Sequence, residues 1–309
     1  MATSPRIRLG TRASALARWQ AEWVASHLVE LGVNVEVVHL NTQGDVKTGA
    51  IGALDSRGVF TTEIQRSLLE GAIDLAVHSL KDLPTDPVQG LTLAAVPPRE
   101  SPADVLVSHR ADSIEALPHG AWIGTGSLRR RSQLLHLRPD LLMKDIRGNV
   151  DTRLRKLDED QFDAIVLAEA GLKRLGLVDR ITHVLPKPVM MPAVGQGALG
   201  LEARAGDDRT IEKLASLDDL STHRAVVAER SMLAALRGGC LAPVGAWARA
   251  ANDGTLHLDG VVLSHDGARR LAASSVTTPE DAAHLGEEVA AKLIDLGADE
   301  LIAASRQPS

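Results

Sequence analysis

The alternation of apolar and polar positions divides the chain into strand-length and helix-length segments. "RIRLG" (Arg6 to Gly10) reads as a short strand running into "TRASALARWQAEWVASHLVELG". In that second stretch Leu16, Trp19, Trp23, Leu28 and Leu31 recur at helical spacing, Ser14 suits the start as a cap and Gly32 the end. "VNVEVVHL" alternates with period two and predicts a strand. Strand, helix and strand at this spacing form a βαβ unit, which requires a parallel sheet. The pattern continues with a helix at "TTEIQRSLLEG", a buried strand at "IDLAVHS" and another at "LTLAAV".

"PPRESP" (Pro97 to Pro102) predicts a linker. A second α/β set follows, with "DVLVS" as a strand and "WIGTGSLRRRSQLLHLR" as strand, glycine turn and helix. "MKDIRGNVDTRLRKLDE" enters a helix at Asn149, and "FDAIVLAEAGLKRLG" is strand then helix. After a break at "LPKPVMMP", the strand pattern "GALGLEARA" is expected to cross back to the first set. The rest differs. "STHRAVVAERSMLAALRGG" predicts a helix capped by Ser221 or Thr222 and followed by Gly238. The strands "VGAWARA", "TLHLDGVVLS" and "RRLAASSVTT" are separated by "NDG" and "HDG", both hairpin signals. "PEDAAHLGEEVAAKLIDLG" is expected to close the chain as a helix over a small antiparallel sheet.

Composition narrows the function classes. A chain of 309 residues exceeds the size at which single cores stop growing, roughly 250–300 residues, so more than one domain is expected. The net charge of −6, aromatic content of 2% and lack of tyrosine argue against nucleic-acid binding by base stacking. No apolar run is long enough for a membrane span. The opening "MATSPRIRLG" has no apolar h-region, so no secretory signal is expected. Cys240 is the only cysteine, which excludes an intrachain disulfide and suits the reducing cytoplasm. Arginine outnumbers lysine by 26 to 8, a bias that favours planar recognition of carboxylates or phosphates.

Four stretches carry candidate chemistry. In "IGTGSLRRRSQ" (Ile123 to Gln133) a Gly/Ser/Thr turn opens a helix with Arg129, Arg130 and Arg131 in its first turn. Cations there oppose the helix dipole, and an anionic ligand offsets that cost; a capped surface helix with solvated arginines is the alternative. "DIRGNVDTRLRK" adds Arg147, Arg153 and Arg155. From Ser127 to Arg155 there are eight basic and three acidic residues, a basic patch suited to a small polyanion. In "AVHSLKDLP" a strand ends at Ser79, Lys81 and Asp82, where open α/β sheets bind ligands. Asp82 reads either as a general acid/base or as part of an ordinary turn. Cys240, in "GGCLAPVG", reads either as a small buried hydrophobe or as a thiol presented on a glycine-rich loop. Neither a zinc-ligand spacing nor a GxGxxG or P-loop is present.

Together, "IRLGTRASALA", "NTQGD", "AVHSLKDLP", "GTGSLRRRSQL", "IRGNVDTRL", "AGLKRLG", "PAVGQGALG" and "GGCLAPVG" resemble the porphobilinogen deaminase (hydroxymethylbilane synthase) family, in its order and over nearly the whole chain. The resemblance implies an α/β fold of two lobes like those of type II periplasmic binding proteins, plus a small C-terminal α+β domain with a three-stranded antiparallel sheet. The domains it implies are 1–98 with 198–216, then 99–197, then 217–309. It implies a cytoplasmic enzyme of tetrapyrrole (haem) biosynthesis, usually monomeric, with no nucleic-acid or membrane partner. That enzyme joins four porphobilinogen molecules into hydroxymethylbilane with loss of ammonia, on a dipyrromethane cofactor held by a thioether to Cys240.

Residue by residue, the resemblance makes Asp82 the catalytic carboxylate and a cofactor contact. It puts Lys81, Ser127, Arg129, Arg130 and Arg153 at cofactor-binding positions. Arg12, Ser14, Arg147, Arg174 and Gln196 fall at substrate-binding positions. No metal is implied. Two departures stand out. "LDSRGVF" (Leu54 to Phe60) replaces a Gly-Gly-Lys-Gly-like loop and keeps a cation at Arg57, and Gly126 stands where a serine is usual. A non-catalytic two-lobed anion receptor is the rival from another class. It would need no covalent adduct and no Cys240. A C-terminal interaction domain is a third alternative, whose removal would spare activity.

Overall fold

The computed structural model describes residues 6–40, 56–239 and 242–306, with only the backbone described for 56–60. The expectations placed on "NTQGD", on Leu54 and Asp55, on the Arg57 side chain and on Cys240 therefore lie outside the described residues. Thirteen strands run through the described chain: β1 (Ile7–Thr11), β2 (Val35–His39), β3 (Leu75–Ser79), β4 (Leu91–Ala95), β5 (Asp104–Ser108), β6 (Trp122–Gly124), β7 (Leu142–Lys144), β8 (Ala164–Ala168), β9 (His183–Val184), β10 (Leu199–Arg204), β11 (Val244–Ala250), β12 (Leu256–Leu263) and β13 (Arg270–Thr277). They form two five-stranded sheets and one three-stranded sheet. The chain packs as two compact units, Met1–Arg99 with Ala198–His223, and Glu100–Gly197 with Arg224–Ser309.

The sheet of the first unit has the order β2-β1-β3-β10-β4. β1 is parallel to β2 and β3, whereas β10 is antiparallel to both β3 and β4. The sheet of the second unit has the order β7-β6-β8-β5-β9, with β6 parallel to β7 and β8 and β5 antiparallel to β8 and β9. The two sheets thus share one plan, three parallel strands followed by one antiparallel strand and an edge strand. In the first unit the antiparallel strand is "GALGLEARA", which returns from beyond the second sheet as its pattern predicted. The buried apolar runs of β3, β5 and β8 fit strands covered on both faces.

The first helix, Ala15–Glu30, begins as expected, with the Ser14 hydroxyl accepting from the Ala17 N–H at 3.3 Å, and Gly32 at φ +76° follows its end. Its buried face overlaps the expected stripe and extends it to one side. Gln20, Ala21, Val24 and Leu28 are buried, whereas Leu31 lies beyond the last turn and is exposed. Trp19 and Trp23 are partly covered; Trp23 packs against the core beside Val24 and Leu28 and also lies against His27, with ring centroids 4.0 Å apart.

The C-terminal sheet, β11-β12-β13, is antiparallel throughout and carries its own apolar core with the helices Ala282–Asp295 and Ala298–Ala304. The single closing helix expected there is two. Gly297, at φ +96°, breaks it and starts the second. The helix Leu220–Ala235 is capped by Asp219, which accepts from the Thr222 N–H at 2.7 Å, and not by Ser221 or Thr222. No helix among the described residues is long and apolar enough to cross a membrane.

Asp74, just before β3, joins three places in the first unit. Its carboxylate accepts from the Arg8 backbone N–H, from the Arg8 guanidinium at 2.8 and 2.9 Å, and from Arg204 on β10 at 2.8 Å. Burial works against ionisation, but the hydrogen bonds from Arg8 and Arg204 outweigh it and lower the pKa to about 2. The native state therefore holds this proton less tightly than the unfolded chain does. The stabilisation is complete above about pH 4 and is lost as the pH falls through about 2, with a size on the order of 2 kcal/mol. Urea unfolding of wild type and Asp74→Asn should show a stability gap that is full at pH 6 and narrows below pH 4. A gap independent of pH would contradict this account.

Candidate active site

In the first unit the candidate residues lie at the C-terminal ends of two adjacent parallel strands. Arg12 and Ser14 follow β1, and Lys81 and Asp82 follow β3, which pairs with β1 through Leu9 and Leu75. A single 3₁₀ turn, Leu80–Asp82, presents the acid. Three features hold that turn in place. The Leu80 N–H donates to the Ala198 carbonyl at 3.0 Å, Leu80 is buried, and the Gln20 amide donates to the Ser79 hydroxyl at 2.9 Å. Beneath it, the buried Glu202 on β10 accepts from the Gln65 amide at 2.9 Å and lies 3.0 Å from His78 Nε2. Arg12, Ser14, Lys81 and Asp82 are all partly exposed at this edge.

In the second unit the candidates again follow parallel strands. Ser127, Arg129 and Arg130 come after β6, Arg147 and Arg153 after β7, and Arg174 after β8. The helix Leu128–Leu137 starts at Ser127, whose side chain makes no capping hydrogen bond. Arg147 is exposed, and Arg153 donates to the Gly148 carbonyl at 2.8 Å. Arg174 donates to the Gly197 carbonyl at 2.7 Å. Burial lowers its pKa to about 10, against the raising influence of Glu100.

Arg129 and Arg130 correct the picture of solvated arginines. They are only 4% and 6% exposed, and both pair with Asp104, which is completely buried at the start of β5. Arg129 Nη1 donates to Asp104 Oδ2 at 2.7 Å and to the Met191 carbonyl at 2.6 Å. Arg130 donates to Asp104 Oδ1 through Nε at 3.0 Å and Nη2 at 2.7 Å, and to the Val166 carbonyl through Nη1 at 2.9 Å. The buried Gln196 amide completes the cluster, donating to Asp104 Oδ1 at 2.9 Å and to the Pro102 carbonyl at 2.7 Å. Burial would raise the Asp104 pKa, but the two guanidiniums hold it well below the usual carboxylate range. Burial lowers that of Arg129, Asp104 opposes this, and the like charge of Arg130 adds to it.

Asp104, Gln20 and Glu202 were not singled out from the sequence. The available signal for Asp104 was an acid opening the apolar strand "DVLVS", where a charge is tolerated only if paired. Glu229 was missed as well. It is fully buried in a helix and accepts from the Gly195 and Ala248 N–H groups at 2.7 and 2.9 Å, which fixes the loop bearing Gln196.

One carboxylate between two buried guanidiniums leaves one positive charge over. Arg129 Nε is buried without a hydrogen-bond partner among the described residues. This donor set fits a ligand bearing several carboxylates, and a dipyrromethane with its acetate and propionate groups is such a ligand. At Gly126 an added Cβ would lie 3.1 Å from the Ile146 carbonyl oxygen, so a side chain there would press on that backbone.

Two family models match the chain. The model described as "Porphobilinogen deaminase, dipyromethane cofactor binding domain" covers residues 7–212, and "Porphobilinogen deaminase, C-terminal domain" covers 223–295. Among curated relatives, the porphobilinogen deaminase of Pelotomaculum thermopropionicum is 47% identical over 97% of this chain and 97% of its own. That of Syntrophotalea carbinolica is 48% identical over 98% and 96%. Solved structures that resemble the chain include a methionine-binding lipoprotein from Bacillus subtilis (TM-score 0.44, 14% identity, 69% of this chain and 89% of that one) and the methionine-binding protein MetQ (0.44, 16%, 72% and 93%).

Gly197, in "PAVGQGALG", has φ +87°, and an added Cβ would lie 2.3 Å from the Glu100 carbonyl oxygen. Both the backbone angle and the contact demand glycine. Gly197→Ala should cost about 2–4 kcal/mol, read as a lowered urea midpoint. Unchanged stability would show that the segment relaxes freely.

Proposed function

The chain belongs to the porphobilinogen deaminase family, and from that premise we propose that it is a hydroxymethylbilane synthase, a transferase that joins four porphobilinogen molecules with loss of ammonia. The observation that carries the reading is the buried guanidinium pair left with one uncompensated charge at the C-terminal edge of a parallel sheet. Every pyrrole unit brings an acetate and a propionate, so an arginine-lined edge suits both the bound primer and the incoming substrate. In this reading Ser127, Arg129, Arg130, Arg153 and Lys81 hold the dipyrromethane, and Cys240 anchors it by a thioether. When bound, that group supplies the pyrrole α-carbon to which new units are joined.

The residues around it bind, orient and move protons. Arg12, Ser14, Arg147, Arg174 and Gln196 bind and orient the carboxylates of the substrate and of the growing chain. Asp82, on its pinned turn, is the catalytic carboxylate. It balances positive charge on a pyrrole nitrogen and carries protons as ammonia leaves and the α-hydrogen is lost. Domain boundaries at 1–98 with 198–216, 99–197 and 217–309 are part of the proposal, supported by a separate sheet for each part. A monomer in the cytoplasm, with porphobilinogen as its small-molecule partner, completes it. The lone cysteine suits a reducing compartment.

The purified protein should weigh more than its sequence by one dipyrromethane, and added porphobilinogen should produce further increments of one pyrrole unit. Cys240→Ala should lose the covalent increment; retaining it would refute the anchor. An unmodified wild type that binds a small carboxylate reversibly would favour the receptor reading instead. Asp82→Asn should keep the covalent mass and the fold while turnover falls by a factor of about 10² to 10⁴. Turnover equal to wild type would remove Asp82 from its role.

A further inference from the structure

Asp104 lies outside every role assigned so far, yet it is the one acid on which Arg129, Arg130 and Gln196 converge. Its two oxygens take different partners. Oδ2 accepts from Arg129, while Oδ1 accepts from Arg130 and Gln196. The guanidiniums are further tied to the Met191 and Val166 carbonyls, so each has one orientation rather than several. Register sets the location. Asp104 is opposite Ala168 at the C-terminal end of β8, because β5 runs antiparallel and begins where the parallel strands end. A carboxylate placed there orients two cations without neutralising both.

We propose that Asp104 is a positioning residue for the dipyrromethane. It pre-orients Arg129 and Arg130 and leaves a single positive charge for a carboxylate of the pyrrole ligand to complete. The inference rests on the proposed function and adds to it a residue that touches neither primer nor substrate. Its removal changes the site in two ways at once. The guanidiniums lose their common acceptor, and the buried charge rises from one to two, so the ligand meets two mutually repelling cations in no fixed arrangement.

The test follows uptake of the primer rather than turnover. Wild type, Asp104→Asn, Asp104→Glu and Asp74→Asn are prepared free of dipyrromethane. The folded, monodisperse fraction of each is incubated with porphobilinogen, and its intact mass is followed in time. Asp74→Asn removes a structural carboxylate of the first unit that pairs with Arg8 and Arg204 and not with Arg129 or Arg130, so it separates lost stability from lost positioning. Wild type and Asp74→Asn should gain the dipyrromethane mass at the same rate. Asp104→Asn should gain it at least about tenfold more slowly, and Asp104→Glu, with its charge kept but displaced by a methylene, should fall between. Uptake by Asp104→Asn at the wild-type rate, or slowing equal to that of Asp74→Asn, overturns the inference alone. If Asp104→Asn yields no folded protein, Asp104→Glu decides: slowed uptake supports positioning and a wild-type rate overturns it. A wild type that gains no mass overturns the functional reading itself, and the inference falls with it.

Discussion

A carboxylate with no solvent exposure has to sit between two guanidiniums, and much of the second unit follows from that constraint. Asp104 could not be buried alone, since the desolvation of an isolated carboxylate far exceeds what packing returns. Nor could Arg129 and Arg130 be buried side by side without it. The three charges are tolerable only as a set, which demands that the start of β5, the first turn after β6 and the carbonyls of Val166 and Met191 meet within hydrogen-bond distance. Reversing β5 would carry its first residue to the other edge of the sheet and leave all three unpaired. The antiparallel strand in an otherwise parallel neighbourhood is therefore an electrostatic requirement as well as a topological one.

The first sheet uses the same plan with different chemistry. β10 begins opposite the end of β3, with Leu199 paired to Ser79, and the preceding Ala198 carbonyl accepts the Leu80 N–H. Here the antiparallel strand pins the turn that carries Lys81 and Asp82. Its second contribution is Glu202, which reaches the Gln65 amide and His78 below that turn. Asp82 itself stays partly exposed, which suits the proton-transfer role proposed for it.

Strand and helix positions were legible because apolar periodicity is local, and the crossing of "GALGLEARA" was legible because an apolar strand pattern followed the second set. What could not be read depends on residues far apart in the chain. Arg129 and Arg130 are solvated or buried according to whether an acid 25 or 26 residues away faces them, and no spacing encodes that. On the helix Ala15–Glu30 the expected stripe met the core at Trp23 and Leu28, while the buried Gln20, Ala21 and Val24 beside it were not legible, because large side chains dominate a hydrophobic count. Asp219 was passed over as a cap because Ser221 and Thr222 beside it are equally good acceptors in isolation. The expectations for Cys240, the Arg57 side chain and "NTQGD" rest on the resemblance alone.

The charge count from Ser127 to Arg155 shows how far composition can mislead about the state of individual side chains. Eight basic residues against three acidic ones read as a uniform patch for a polyanion. In the fold, Arg138 is used up by Asp140 and by the carbonyls of Ile114, Glu115 and Leu117, and Arg155 pairs with Glu159 along its own helix. Arg129 and Arg130 turn inward to Asp104. The positive character of this edge comes less from the number of cations than from an internal acid too small in charge to satisfy them. In the proposed function such a site would recognise carboxylates by geometry as well as by sign, because its guanidiniums are already fixed by Asp104 and the carbonyls of Met191 and Val166. A patch of eight solvated side chains would have to order them on binding, at a cost in side-chain entropy for each one.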